Sequence, residues 1–159
     1  MISFKETLTE QKNTHMTHIE DKVLYGGVEG TRQAINGLRS LRDMLNRPAF
    51  YGAVLPATGQ AAAIHAYYLS TITADCADII AIGTHKDWQR RGFGWIMLEH
   101  LIGVTEQQHV GKILLEVAAD NMPARQLYDS YGFVETGCRK NYYKRGETRC
   151  DAVIMARLR

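Results

Sequence analysis

The sequence is poor in proline and in cysteine. The three prolines, Pro48, Pro56 and Pro123, each fall where an element is expected to start or stop. No Pro-, Gly- or Ser-rich linker, low-complexity tract or internal repeat divides the chain. The three cysteines, Cys76, Cys138 and Cys150, are few and odd in number. This excludes a disulfide framework and points to a reducing cytoplasm. No apolar run approaches the roughly 18 residues of a membrane span. Met1 to Glu6 lacks the basic-then-apolar order of a secretory signal. An excess of one charge is also missing: 19 basic and 17 acidic residues leave +2, so affinity for an anionic partner must come from a local cluster. What is present is 45% hydrophobic and 23% charged residues in a chain of 159, which excludes wholesale disorder. Such a chain can bury a core without staples, and the length predicts one domain over residues 1–159.

Periodicity predicts a mixed α/β order. A short strand fits Ile2 to Glu6, and helices fit Thr9 to Leu24 and Thr31 to Asn46, the second carrying Ile35, Leu38, Leu41 and Leu45 as a stripe before Pro48. Phe50 to Leu55 and Ala61 to Thr71 read as strands joined by a turn at Pro56–Gly59, and Asp78 to Thr84 as a buried strand. A glycine-containing loop then opens a helix reaching about His109, with Met97, Leu98, Leu101, Ile102 and Thr105 on one face. Lys112 to Ala118 is an apolar strand holding one acid. Asn121 can cap a short helix that tolerates Pro123 in its first turn and stops at Gly132. Phe133 to Cys138 and Asp151 to Leu158 are final strands joined by a polar, basic loop. Crossovers after Thr84 and after Ala118 imply parallel pairing at both places.

Three features could carry chemistry. Gln89-Arg90-Arg91-Gly92-Phe93-Gly94 stands at a helix start, where free N–H groups, the helix dipole and two arginines favour a phosphate or pyrophosphate. By itself such a stretch is also simply a turn. The Walker ending and the third glycine of the dinucleotide fingerprint are absent, so nucleotide hydrolysis and nicotinamide binding fit poorly. Glu116 interrupts Ile113-Leu114-Leu115-Glu116-Val117-Ala118. It reads either as a strand-end acid reaching water or as a desolvated general base. Tyr128 lies on the apolar face of its helix, either as a core residue or as a general acid that stays protonated at neutral pH. The histidines, His15 and His18 included, form no convincing metal set.

These features occur together and in order. The loop resembles the Gln/Arg-x-x-Gly-x-Gly/Ala acetyl-CoA loop of the GNAT N-acetyltransferase superfamily. Leu115-Glu116-Val117, Asp120-Asn121, Leu127-Tyr128, Tyr131-Gly132-Phe133, Arg139, Asn141-Tyr142-Tyr143 and Asp151-Ala152-Val153-Ile154-Met155 are similar to its bacterial ribosomal-protein-alanine N-acetyltransferases. The similarity is dense from about Ile79 to Met155. It implies a mixed central sheet with helices on both faces, acetyl-CoA as cosubstrate and, as acceptor, the N-terminus of a protein, a ribosomal protein starting with alanine. It further implies that Ile82, Gly83 and Thr84 pair with the pantetheine arm, that Arg90, Arg91, Gly92, Phe93, Gly94 and Trp95 wrap the pyrophosphate, and that Asn121 contacts the cofactor near the thioester. Glu116 matches the base and Tyr128 the acid. The chain departs from the pattern at Gly26-Gly27-Val28, at Thr84-His85-Lys86 and at Ala118. No membrane partner and no direct nucleic-acid contact is expected, and a cytoplasmic location is. Within the enzyme class the alternative is a small amine or a lysine side chain as acceptor. A different class is a nucleic-acid module built on Arg139, Lys140, Lys144, Arg145 and Arg149 interleaved with Tyr142 and Tyr143. A covalent route through Cys138 lacks a base in the sequence.

Overall fold

The computed structural model describes residues 2–3, 49–56 and 64–159. The two helices expected before Pro48, the His15–His18 pair and the turn after Pro56 lie outside the described residues. Seven strands form one sheet in the order β1-β2-β3-β4-β5-β7-β6. They are β1 (Ile2–Ser3), β2 (Phe50–Pro56), β3 (Ile64–Ile72), β4 (Cys76–Thr84), β5 (Lys112–Ala118), β6 (Val134–Arg145) and β7 (Thr148–Leu158). Two helices, α1 (Phe93–Gln107) and α2 (Met122–Ser130), join β4 to β5 and β5 to β6.

The helices form where capping and periodicity direct. Gly92 caps α1 from the left-handed region at φ +84°, where a side chain would be strained. Met97, Leu98, Leu101, Ile102 and Thr105 are the buried residues of α1, the face expected from the sequence. Asn121 caps α2 by accepting from the Ala124 N–H at 3.3 Å. Gly132, at φ +79°, turns the chain after α2. Met97, Leu98 and Leu101 of α1 and Tyr128 of α2 join Leu115, Val117, Val153 and Met155 in one core cluster, so both helices cover the same face of the sheet. No helix among the described residues is long and apolar enough to cross a membrane.

Two expectations about the closing strands are corrected. The basic stretch after Cys138 is not a loop: β6 continues to Arg145 and meets β7 across a tight turn at Gly146, φ +59°. Its side chains are mostly exposed, so no apolar alternation marks it; the ladder to β7 makes it a strand. The crossover after Ala118 does not produce parallel pairing either. β7 lies between β5 and β6, antiparallel to both. The reason is polarity. β7 brings Ala152, Val153, Met155 and Ala156 into the core, whereas β6 is charged and takes the edge, where lysine and arginine discourage further pairing. The crossover after Thr84 does give a parallel pair, β4 with β5.

Candidate active site

The β4–β5 ladder is short. It runs from Cys76 opposite Lys112 to Ile79 opposite Leu115 and stops, although β4 continues to Thr84 and β5 to Ala118. Beyond Ile79 the strands splay, and a cleft of about 100 Å³ opens between Ile79–Ile82 on one side and Leu115–Ala118 on the other. Backbone N–H groups of β4 that would face β5 lose their strand partner here. Asn121, Ala124 and Tyr128 of the α2 segment and Tyr143 of β6 complete the lining.

Strand alternation decides which side chains meet across this gap. Leu115 and Val117 belong to the core cluster that holds Tyr128. Glu116 lies between them and therefore projects from the opposite face. The carboxylate and the phenol thus approach one cleft from two sides of the sheet. Glu116 is 28% exposed at its side chain and pairs through Oε1 with Arg139 Nε at 3.0 Å. The Tyr143 hydroxyl donates to the Glu116 backbone carbonyl at 3.3 Å. Tyr128 is 8% exposed, with its ring centroid 5.7 Å from that of Phe133. Burial, then the nearby Tyr143, pushes its phenol above the ordinary value, and no hydrogen bond to its hydroxyl occurs among the described residues. Tyr143 is pushed up to about 12, chiefly by burial and next by Glu116. Both phenols hold their protons at neutral pH.

The loop before α1 is ordered by aromatic contacts. Trp88 stacks on the buried His65 at 3.9 Å, and Phe93 meets the His65 ring edge-on at 5.1 Å. The Arg91 guanidinium sits 4.6 Å over the Trp88 ring. Arg90 (φ +62°) and Gly92 turn the backbone so that the first N–H groups of α1 open to solvent beside two exposed arginines. That is an anion site in form. Other expected cofactor residues have distinct surroundings. Ile82 and Asn121 line the cleft with Glu116 and Tyr128. Gly83 and Thr84 lie past it. A Cβ on Gly83 would fall 2.5 Å from the Tyr67 ring, and the Thr84 carbonyl accepts from Gln89 Nε2 at 3.4 Å. A Cβ on Gly94 would come within 3.3 Å of Leu127, so this glycine also lets α1 approach α2. Trp95 is 48% exposed on α1, 5.1 Å from the Tyr131 ring.

Comparison with known proteins bears on the family and the fold. Residues 16–133 match the acetyltransferase (GNAT) family. The chain belongs to this family. A [ribosomal protein bS18]-alanine N-acetyltransferase of Escherichia coli K12 is 42% identical over 91 residues, 57% of this chain and 62% of that protein. The match thus spans about three-fifths of the relative's length. The crystal structure of the ribosomal-protein-S18-alanine N-acetyltransferase from Escherichia coli superposes with a TM-score of 0.64 at 36% identity over 69% of each chain. A GNAT acetyltransferase from Elizabethkingia anophelis with acetyl-CoA bound shares the fold: TM-score 0.60, 17% identity, 70% of this chain and 77% of that one.

Sequence reasoning assigned no site role to Arg139 or Tyr143, both of which reach Glu116 in this GNAT chain. The signal for both lies in Arg139 and Asn141-Tyr142-Tyr143, which by composition alone look like a basic loop. The same contacts bear on the nucleic-acid alternative. Arg139 pairs with Glu116, Lys140 with Asp151 at 2.8 Å and Arg145 with Asp120 at 3.1 Å, and Arg149 Nη1 donates to the Asn141 carbonyl at 3.0 Å, so these cations are engaged within the protein. Cys138 is exposed and outside the cleft lining, with its Sγ 3.7 Å from Asp151 Oδ2. No metal-binding group of His, Cys, Asp or Glu occurs among the described residues.

Proposed function

We propose that the protein transfers acetyl from acetyl-CoA directly to the N-terminal α-amine of a protein, with a ribosomal protein beginning with alanine as the leading acceptor. The observation that carries this reading is the splay of β4 from β5, with Glu116 and Tyr128 facing the gap from opposite sheet faces. The family match and the named relatives support it. We read residues 1–159 as a single domain of this kind, working in the cytoplasm.

The nucleophile must be a neutral amine. An α-amino group with a pKa of about 7.7–8.0 is roughly a tenth neutral at pH 7, whereas a lysine amine near 10.4 is neutral to only a few parts in ten thousand. One carboxylate therefore suffices for an N-terminus. Glu116 accepts the amine proton, directly or through water. The nitrogen attacks the thioester carbon, and the unpaired N–H groups of β4 beyond Ile79 stabilise the oxyanion. As the C–S bond breaks, Tyr128 protonates the leaving thiolate. The products are an N-acetylated chain and free CoA; Glu116 then gives up the proton it took and Tyr128 regains the one it lost, by exchange with solvent, so the net proton count is unchanged. Holding the two reactants in one cleft contributes alongside the acid–base chemistry. The loop Arg90–Trp95 at the start of α1 takes the pyrophosphate, and Ile82–Thr84 the pantetheine arm.

Thiol release from acetyl-CoA, measured with an N-terminal alanine peptide, an N-blocked lysine peptide and small amines, tests the reading. Release with the first alone is expected. Release with lysine or small amines and none with the α-amine would transfer the assignment to those acceptors. RNA binding without thiol release under any of these conditions would overturn the enzyme reading.

A further inference from the structure

The closing motif Asp151-Ala152-Val153-Ile154-Met155 begins with a residue for which the mechanism has no use. Asp151 projects from β7 outside the cleft lining. Its Oδ1 accepts from the Asn141 backbone N–H at 2.8 Å, and its Oδ2 from Lys140 Nζ at 2.8 Å. Both partners belong to an interruption in the β6–β7 ladder. Arg139 lies opposite Ala152 and Tyr143 opposite Cys150, so four steps along β6 span two along β7. The surplus forms a bulge over Asp151, with Asn141 at φ +54° and its carbonyl accepting from Arg149 Nη1 at 3.0 Å.

The bulge has a geometric effect on the cleft. Its surplus is even, so Arg139 and Tyr143 stay on the sheet face that carries Glu116. A regular ladder would place Asn141 opposite Cys150 and carry Tyr143 about 7 Å further toward the hairpin tip. With the bulge, the Tyr143 hydroxyl meets the Glu116 carbonyl at 3.3 Å. Arg139 crosses the small Ala152 of β7 to reach Glu116 Oε1 at 3.0 Å. The carboxylate is thereby held beside the cleft through its Oε1.

We infer that Asp151 is a positioning residue: by gripping the β6 bulge it aims Arg139 and Tyr143 at Glu116 and so sets the base in the cleft. The inference rests on the proposed acetyl transfer for its kinetic consequence but not for its structural one. Two readouts separate them. The first is turnover with acetyl-CoA and an N-terminal alanine peptide. D151A lowers kcat about tenfold or more, with the acetyl-CoA KM unchanged within about twofold. D151N, which keeps an oxygen for the Asn141 N–H, recovers part of the loss. In an E116Q background D151A costs no more than about a further twofold, because Asp151 acts through Glu116. The second readout needs no activity. The Tyr143 phenol stands at about 12, raised by burial, Glu116, Tyr142 and Cys150 and lowered by Arg139. In D151A, ring-labelled tyrosine NMR should find it moved back toward 10.0. If D151A fails to fold, D151N carries the same measurements, with a smaller shift in the same direction. A Tyr143 value left at about 12 in the variant, or equal D151A losses with and without Glu116, overturns the inference. A wild-type protein that acetylates no amine overturns the proposed function instead, and the NMR result still decides the role of Asp151.

Discussion

Replacing Tyr128 by phenylalanine separates a catalytic phenol from a core ring. The Tyr128 ring is packed within the core cluster, Tyr128 is among the residues lining the cleft, and its hydroxyl has no hydrogen bond among the described residues. Removing that oxygen leaves the packing in place and breaks no internal bond. A buried hydroxyl without a partner costs about 1–3 kcal/mol, reduced where the cleft admits water. Unfolding free energy should therefore stay level or rise by up to about 1 kcal/mol. Turnover should move the other way. A general acid contributes about 10²-fold or more, which is about 2.7 kcal/mol of transition-state stabilisation. The assay pairs thiol-release kinetics on an N-terminal alanine peptide with a urea unfolding curve on the same sample. Loss of kcat without loss of stability is the expected signature. A kcat within about threefold of wild type removes Tyr128 from the mechanism. A stability loss of about 2 kcal/mol or more would make its hydroxyl structural.

Other expectations are briefer. E116Q should lose about 10²-fold in kcat yet change stability by less than about 1 kcal/mol, because its ion pair with Arg139 is partly exposed; equal turnover would eliminate the base. G83A drives a methyl to 2.5 Å from the Tyr67 ring and should cost about 1–3 kcal/mol in thermal unfolding while raising the acetyl-CoA KM, since the end of β4 must shift. An unchanged melting temperature would show that the Tyr67 ring yields without cost. Tyr68 and Tyr143 both stand at about 12 against an ordinary 10.0, so the folded state holds these protons more tightly than the unfolded one. Their contribution is complete below pH 10 and disappears as pH rises through about 12. Urea midpoints measured across that interval should fall, and Y143F should flatten the fall.

What could be read from the sequence was local. The start of α1, the Asn121 cap, the stop at Gly132 and the limits of β5 depend on residues a few places apart, and the structure has them as expected. The insertion of β7 between β5 and β6 depends on competition between strands far apart in the chain, which no periodicity encodes. β6 has a polar, mostly exposed surface, so only its ladder identifies it as a strand. Glu116 and Tyr128 could each be singled out by residue type and neighbours, but the residues alone left structural and catalytic readings open. Their meeting at one gap needs the early end of the β4–β5 ladder, which is a property of two strands together. Arg139 and Tyr143 were hidden for the same reason: a bulge of two residues brings them to Glu116, and a bulge is visible only in the register.

The short β4–β5 ladder also makes the sheet resemble an open book. β1 to β4 form one cover and β5, β7 and β6 the other, stitched along four facing positions from Cys76 to Ile79, with α1 glued inside the spine against β3 and β4. Any molecule wedged into the mouth sets the angle between the covers, and the seam at Cys76–Ile79 takes the resulting leverage.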